Sequence, residues 1–276
     1  MSAPAVDGGG SPREVALFAD TFNTYFEPEN LRAAVEVLTR LGYRVALLRA
    51  EHGVGALVGQ QSSGKSRPLC CGRTFLSAGL VEEARAEARR VLAAAAPFLA
   101  RGVPIVGLEP SCLLTLRDEF LAMLPGTETD DLARHALLLE EFLAREAAAG
   151  RIAGPVGNRP GKVLLHGHCH QKAFGIMGSV GAALALVDGL EVEAVESSCC
   201  GMAGAFGYGA DTHAVSMAMG ELTLLPAVRR AAPDTAIAAD GFSCRHQIRD
   251  GTGRQPQHVV RILHDAMSRA TADRRA

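Results

Sequence analysis

The chain alternates between short apolar runs and longer segments in which apolar residues recur every three or four positions. "EVALF", "RVALLR", "VPIVGL", "KVLLH", "EVEAVE" and "AIAAD" have the compact, β-branched-rich form of strands, whereas "ENLRAAVEVLTRLGY", "LVEEARAEARRVLAAAAPFLARG" and "THAVSMAMGELTLLPAVRRA" carry the helical period. This alternation of strand and helix predicts an α/β fold of small parallel-sheet layers. The Ala-rich segment from Leu80 reads as an amphipathic helix whose charged face is solvated.

The pattern runs twice. "EVALFADTFNTYF" aligns with "KVLLHGHCHQKAF", placing Val15 over Val163, Leu17 over Leu165, Phe26 over Phe174 and Thr21 over Cys169. "CCGRTFLSAG" from Cys70 aligns with "CCGMAGAFGY" from Cys199, and "VGLEPSCLLTLRDEF" with "AADGFSCRHQIRD", where Cys112 and Cys244 follow a short strand. The expected organisation is a flexible N-terminus (1–13), a first repeat lacking its first Cys (14–150), a Gly- and Pro-bearing linker (151–161), a second repeat (162–270) and a tail (271–276). The fold expected is therefore a tandem duplication of a parallel α/β unit with cysteine-bearing turns at strand C-terminal ends.

Composition narrows the functional class. The 276 residues are 48% hydrophobic and 21% charged, enough for full cores, and a net charge of −2 provides no field for nucleic acid or an anionic membrane. The N-terminal "MSAPAVDGGGSPR" has no apolar signal-peptide core, and "IMGSVGAALALVDGL" is too short to span a bilayer and is interrupted by Asp188. A cytoplasmic protein with no membrane span is expected, touching a membrane only through partners. In such a chain seven cysteines suggest reduced thiols in metal or redox chemistry rather than a disulfide framework.

Crevices of open α/β sheets form outside the carboxyl ends of the strands, where distant segments meet. Cys169, the pair Cys199–Cys200 and Cys244 each follow a predicted strand, so four thiols are expected at one site; Cys70, Cys71 and Cys112 form a poorer second group because Thr21 removes its first thiol. Buried free cysteines often only pack, and a vicinal disulfide requires an oxidising setting. Zinc is a rival, since "HGHCHQ" supplies thiol and imidazole, yet the spacing lacks the Cys-x-x-Cys knuckles of compact zinc sites. Adjacent thiolates on a glycine-rich turn suit neighbouring irons of one cluster, with Gly201, Gly204, Gly207 and Gly209 allowing close backbone approach. Strand alternation puts His166, His168 and His170 on one face and Cys169 on the other. His168, His170, His246 and Gly201 are accordingly expected around the ligands rather than among them. Asp20 and Glu109 are expected to cap helices, with no catalytic role.

At these residues the chain resembles the CCG, or cysteine-rich, domain proteins of heterodisulfide reductase B subunits and of the iron–sulfur subunits of glycolate oxidase, lactate utilisation and anaerobic glycerol-3-phosphate dehydrogenase systems. "DTFNTYFEPEN", "EPSC", "HGHCHQKA", "CCGMAGAFGY" and "DGFSCRHQI" are most similar to the C-terminal region of FAD-linked 2-hydroxy-acid dehydrogenases of the D-lactate, glycolate and 2-hydroxyglutarate type. The resemblance implies an electron-transfer module whose Cys169, Cys199, Cys200 and Cys244 hold an iron–sulfur cluster of the 4Fe-4S class and pass electrons from a flavin to a quinone or other acceptor. It implies FAD on a partner dehydrogenase subunit or domain, and a ferredoxin-type iron–sulfur subunit as a further partner. Gln247 stands where the family carries its last thiol, so a four-thiolate centre is expected. Cys70, Cys71 and Cys112 are left with zinc, a labile cluster or packing as their role, and the alternatives to electron transfer are a zinc-stabilised structural or assembly protein without redox activity and heterodisulfide-reductase-like thiol chemistry at Cys199–Cys200.

Overall fold

The computed structural model describes residues 13–50 and 67–273, without the side chains of 271–273; residues 1–12 and 274–276, within the expected flexible N-terminus and tail, lie outside the described residues. The chain divides into two compact units, Met1–Ile152 and Ala153–Ala276. Each is α/β, and both sheets are purely parallel, as the strand–helix alternation predicts.

Unit 1 runs β1 (Glu14–Phe18), α1 (Thr21–Tyr25), α2 (Pro28–Arg40), β2 (Arg44–Leu48), α3 (Arg73–Ser77), α4 (Val81–Leu99), β3 (Ile105–Gly107), α5 (Pro110–Thr115), α6 (Glu119–Met123), α7 (Thr127–His135), β4 (Ala136–Leu138) and α8 (Leu139–Ala148). Its sheet has the order β2-β1-β3-β4. Val15, Ala16, Leu17 and Phe18 of the central strand are fully buried, the mark of a parallel strand covered on both faces. Pro28 opens α2, where its missing N–H costs nothing, and Ala33, Ala34, Val37 and Leu38 form the buried stripe. In α4 the corresponding stripe is Ala84, Ala88, Val91, Ala95 and Phe98, so the Ala-rich helix is amphipathic as its pattern predicts.

Unit 2 runs β5 (Gly157–His166), α9 (Cys169–Ala173), α10 (Met177–Leu184), β6 (Val187–Ala194), α11 (His213–Glu221), α12 (Leu224–Arg230), β7 (Ala236–Ala239), α13 (Phe242–Thr252) and α14 (Val259–Asp273), with a 3₁₀ turn over Phe206–Tyr208. Strand β5 begins inside the segment read as a linker, and α14 extends into the segment read as a tail. Order β6-β5-β7 places β5 at the centre, with Val163 opposite Val192 on one side and Ala236 on the other. The single helix read from "THAVSMAMGELTLLPAVRRA" is two, because Thr223 leaves the helical region at φ −151° before Pro226. Leu164, Met202, Leu224, Val228, Ile237 and Ile248 pack with Cys200 and Cys244 in one core cluster, so two of the thiols are seated on the apolar interior.

Candidate metal centre

Three strand ends carry the cysteines of unit 2. Strand β5 stops at His166; Gly167 turns the chain, His168 caps α9, and Cys169 is the first helical residue. Beyond β6, the chain reaches Cys199 and Cys200 and turns at Gly201, whose φ of +94° lies outside the range L side chains favour. A Cβ at Gly201 would press into the Ser216 carbonyl, with the carbonyl carbon only 3.0 Å away. Strand β7 leads through Asp240 and Gly241 into α13, where Cys244 is the third helical residue.

These turns bring the four thiols together. Cys169 interacts with Cys199, Cys199 with Cys200 and Cys200 with Cys244, while the closest donor groups here are two: Cys200 and Cys244 with His166, and Cys169 with His168 and His170, each within 4.8 Å. Cys169 is exposed and Cys199 half-buried, whereas Cys200 and Cys244 are buried, so the group runs from the surface into the core. Cys199 is pulled down to about 2 by its hydrogen bonds with Cys169 and Cys200, assisted by the Gly201 N–H at 3.3 Å. The hydrogen bond from Cys200 holds the Cys244 thiol well below its ordinary value despite burial, and the charges of His168 and His166 act in the same direction. Cys169 and Cys200 shift upward, chiefly because Cys199 is their partner. Four sulfurs at three strand ends, with Cys199 and Cys244 pulled toward the thiolate, are a donor set for a soft cation or cluster.

The surrounding groups fix the turns. Gln171, fully buried, accepts from the His168 N–H at 3.0 Å and donates to Asp240 Oδ2 at 2.8 Å, tying the Cys169 turn to the end of β7. Asp240 Oδ1 accepts from Val259 N–H at 3.0 Å, while Arg245, 2% exposed, donates to the carbonyls of Ala239 and Asp240 at 2.8 and 2.6 Å. Lys172 donates to the carbonyls of Ser197 and Ser198 below the cysteine pair; burial lowers its pKa while the nearby cysteine charges raise it.

The histidines depart from the expected strand faces, because β5 ends before His168. His168 Nδ1 accepts from the His170 N–H, and both His168 and His170 Nδ1 lie 3.9 Å from Cys169 Sγ, with the two rings stacked at 5.0 Å. His246 packs its ring on Phe242 at 4.2 Å. His166, Gln171, Lys172 and Ser197 are the residues that sequence reasoning did not bring to the site. The offset of His166 by three from Cys169 was the one available signal, and strand alternation pointed it the wrong way.

Unit 1 repeats the placement with different chemistry. Thr21 is the first residue of α1, as Cys169 is of α9, and its side chain hydrogen-bonds Cys70, as Cys169 does Cys199. Cys70 and Cys71 precede Gly72, again left-handed at φ +79°, and the Gly72 N–H lies 3.4 Å from Cys70 Sγ. Cys112 is the third residue of α5 and hydrogen-bonds Cys71. Here the thiols favour the neutral form. The Cys71 hydrogen bond lowers Cys112, but burial and the carboxylates of Asp20 and Glu109 push it up to about 11. Both acids cap helices as expected: Asp20 accepts from the N–H groups of Phe22 and Asn23, and Glu109 from Ser111.

Among the described residues no helix is long and apolar enough to cross a membrane. No family model matches the chain. It is similar to a subunit of the anaerobic glycerol-3-phosphate dehydrogenase of Escherichia coli (strain K12), at 26% identity over 256 residues covering 92% of this chain and 59% of that protein. D-2-hydroxyglutarate dehydrogenases of Escherichia coli (strain K12) and Pseudomonas putida are each 28% identical, over 91% of this chain and 22% of theirs. The chain thus spans about three-fifths of the first relative and about a fifth of the others. The resemblance drawn from the cysteine motifs is borne out: the chain is a homologue of a glycerol-3-phosphate dehydrogenase subunit and of one region of D-2-hydroxyglutarate dehydrogenases.

Proposed function

We propose that the chain is an electron-transfer module that holds an iron–sulfur cluster on Cys169, Cys199, Cys200 and Cys244 and serves a flavin-dependent dehydrogenase of 2-hydroxy acids. The observation that carries this reading is the placement of Cys169, Cys199, Cys200 and Cys244 at three strand ends, where neighbouring sulfurs interact pairwise and Cys200 and Cys244 lie within 4.8 Å of each other. Such convergence has no packing purpose for the exposed Cys169 or half-buried Cys199. The names of the relatives support the association with a dehydrogenase. When bound, a cluster of the 4Fe-4S class supplies one-electron chemistry between the flavin and a quinone or other acceptor.

The chain's own groups bind and shelter it. The thiolates of Cys199 and Cys244 provide the first anionic donors, and the Gly201 N–H moderates the charge on Cys199. Lys172 lies beside them on the carbonyls of Ser197 and Ser198, and the apolar residues packed around Cys200 and Cys244 exclude water from the inner side. FAD and hydride chemistry belong to a partner subunit or domain, with a ferredoxin-type subunit as a further carrier. The assembly is cytoplasmic and reaches the membrane through those partners.

The shared second-first-third order of three strands, to which unit 1 adds β4, and the matching cysteine positions support a tandem duplication, in which unit 1 has lost one donor at Thr21. Its neutral Cys70, Cys71 and Cys112 suit packing or a single weakly held zinc better than a cluster. Anaerobic purification followed by iron, sulfide and zinc analysis tests the proposal. Stoichiometric iron and sulfide, lost from a quadruple Cys→Ser variant of the unit 2 thiols, is the expected result; zinc without iron overturns it.

A further inference from the structure

His166 is the last residue of β5 and is 1% exposed. Its Nδ1 lies 2.9 Å from Ser197 Oγ, which fixes the ring plane, and the Ser197 backbone is itself held by Lys172. Its other nitrogen, Nε2, is buried and meets no nitrogen or oxygen at normal hydrogen-bond geometry, and the Cys244 thiol is the group that interacts with the ring. The donor atoms of His166, Cys200 and Cys244 all lie within 4.8 Å of one another. With Nδ1 taken by Ser197, Nε2 is the ring nitrogen left for the two buried thiols, and a weak thiol contact is a poor partner for a fully buried imidazole nitrogen.

The neighbouring imidazoles are engaged differently. His168 Nδ1 serves the backbone of α9, and His170 lies outside it, stacked on the His168 ring. At the equivalent place in unit 1 stands Phe18, fully buried and without a donor, in the unit that also lacks Cys169's thiol. Gln247, which occupies the place of the family's last thiol, turns its amide to Ser216 and donates to its carbonyl and hydroxyl oxygens at 3.1 Å each. Gln247 therefore does not replace the missing donor.

We propose that His166 Nε2 is a ligand of the unit 2 metal centre, giving it mixed thiolate and imidazole donors. In this arrangement Nδ1–H donates to Ser197 Oγ and leaves the Nε2 lone pair facing Cys200 and Cys244. Metal-bound histidines usually donate their other ring N–H to an oxygen in this way. The inference rests on unit 2 holding an iron–sulfur cluster, and it identifies a donor from outside the cysteine motifs.

The test uses the full chain, purified without air after growth with ¹⁵N-histidine. Iron and sulfide are measured for the wild type and for His166→Asn, His166→Cys and His170→Asn. Nitrogen hyperfine couplings are read by pulsed electron paramagnetic resonance in a paramagnetic state, generated by cryoreduction where chemical reduction fails. A ligand-strength histidine coupling is expected in the wild type and in His170→Asn. His166→Cys should retain its iron and lose that coupling, because a thiolate replaces the imidazole. His166→Asn should lower iron affinity roughly 10–100-fold. A wild type without iron overturns the function proposed above. Iron retained with only weak, hydrogen-bond-strength nitrogen coupling, or a strong coupling that survives in His166→Cys, overturns the ligand assignment alone. If His166→Asn does not fold, as judged by circular dichroism, the labelled wild type and the His166→Cys variant still decide.

Discussion

Replacing Gly201 and Gly204 separately by alanine sets two glycines of one turn against each other. Both have left-handed backbones, φ +94° and +67°, but only Gly201 is hemmed in; nothing lies within 4 Å of the position a Cβ would take at Gly204. At Gly201 the backbone strain costs about 1–2 kcal/mol. The new methyl must also displace the Ser216 carbonyl, which accepts from Gln247 Nε2 at 3.1 Å, and losing that buried bond adds about 1–1.5 kcal/mol. The total is about 3 kcal/mol for Gly201→Ala, against about 1 kcal/mol for Gly204→Ala, where strain acts alone. With a midpoint shift of roughly 4 °C per kcal/mol, the two variants should differ by roughly 8 °C in thermal melting followed by circular dichroism. The Gly201 variant should also lose iron, since the Gly201 N–H and Cys199 Sγ move with the turn. Melting points within roughly 2 °C of each other would refute the argument from close approach.

Gln171→Leu should destabilise unit 2 by about 2–3 kcal/mol, because it leaves the His168 N–H and a buried Asp240 oxygen unpaired, and metal content should fall with it; denaturant melts and iron analysis report both. In unit 1, burial raises the Glu146 carboxyl, but hydrogen bonds from Arg151 and Tyr43 and the charges of Arg151 and Arg13 outweigh it and hold the pKa below its ordinary 4.5. Such a group stabilises the fold above that ordinary value and ceases to do so as pH falls through the lowered one. Glu146→Gln should therefore cost about 2 kcal/mol at neutral pH and progressively less below pH 4.5 in urea melts at stepped pH. Cys200→Ser should abolish turnover with a quinone acceptor, measured with the partner dehydrogenase, while reduction of its flavin by the 2-hydroxy acid in stopped flow is preserved. Cys112→Ser should change turnover less than twofold, an order-of-magnitude expectation for a thiol held neutral outside the cluster.

Much of the site was legible because its determinants are local. A short apolar run, a turn and a cysteine at the helix start recur with the same residue types, and Asp20 and Glu109 announce their caps by type and position. The direction of His166 was not legible. Period-two reasoning holds only inside a strand, and β5 ends at that residue, so the chain rotates at Gly167 before His168 and Cys169 are placed. Nor does a sequence distinguish Gly201 from Gly204, since the difference is the distant Ser216 carbonyl. The three-residue strand β4 is hidden between α7 and α8, whose helical period runs through it. Gln171 reads as an ordinary helix residue until Asp240, far along the chain, meets it.

The central position of β5 has a consequence for the order of events during synthesis. Cys169 leaves the ribosome first, the Cys199–Cys200 pair later, and Cys244 only after β7 has been made, because β7 pairs with β5 from the side opposite β6. A nascent chain that has released only β5 and β6 presents three thiols on an unfinished sheet edge, without the Asp240 anchor that Gln171 requires. A metal or cluster held by these thiols would therefore be delivered to a finished scaffold, unlike the zinc of a short loop whose ligands emerge almost together. A truncated or stalled chain lacking the last strand would carry exposed thiols with no complete site. It would be a target for oxidation or degradation rather than a partly loaded product.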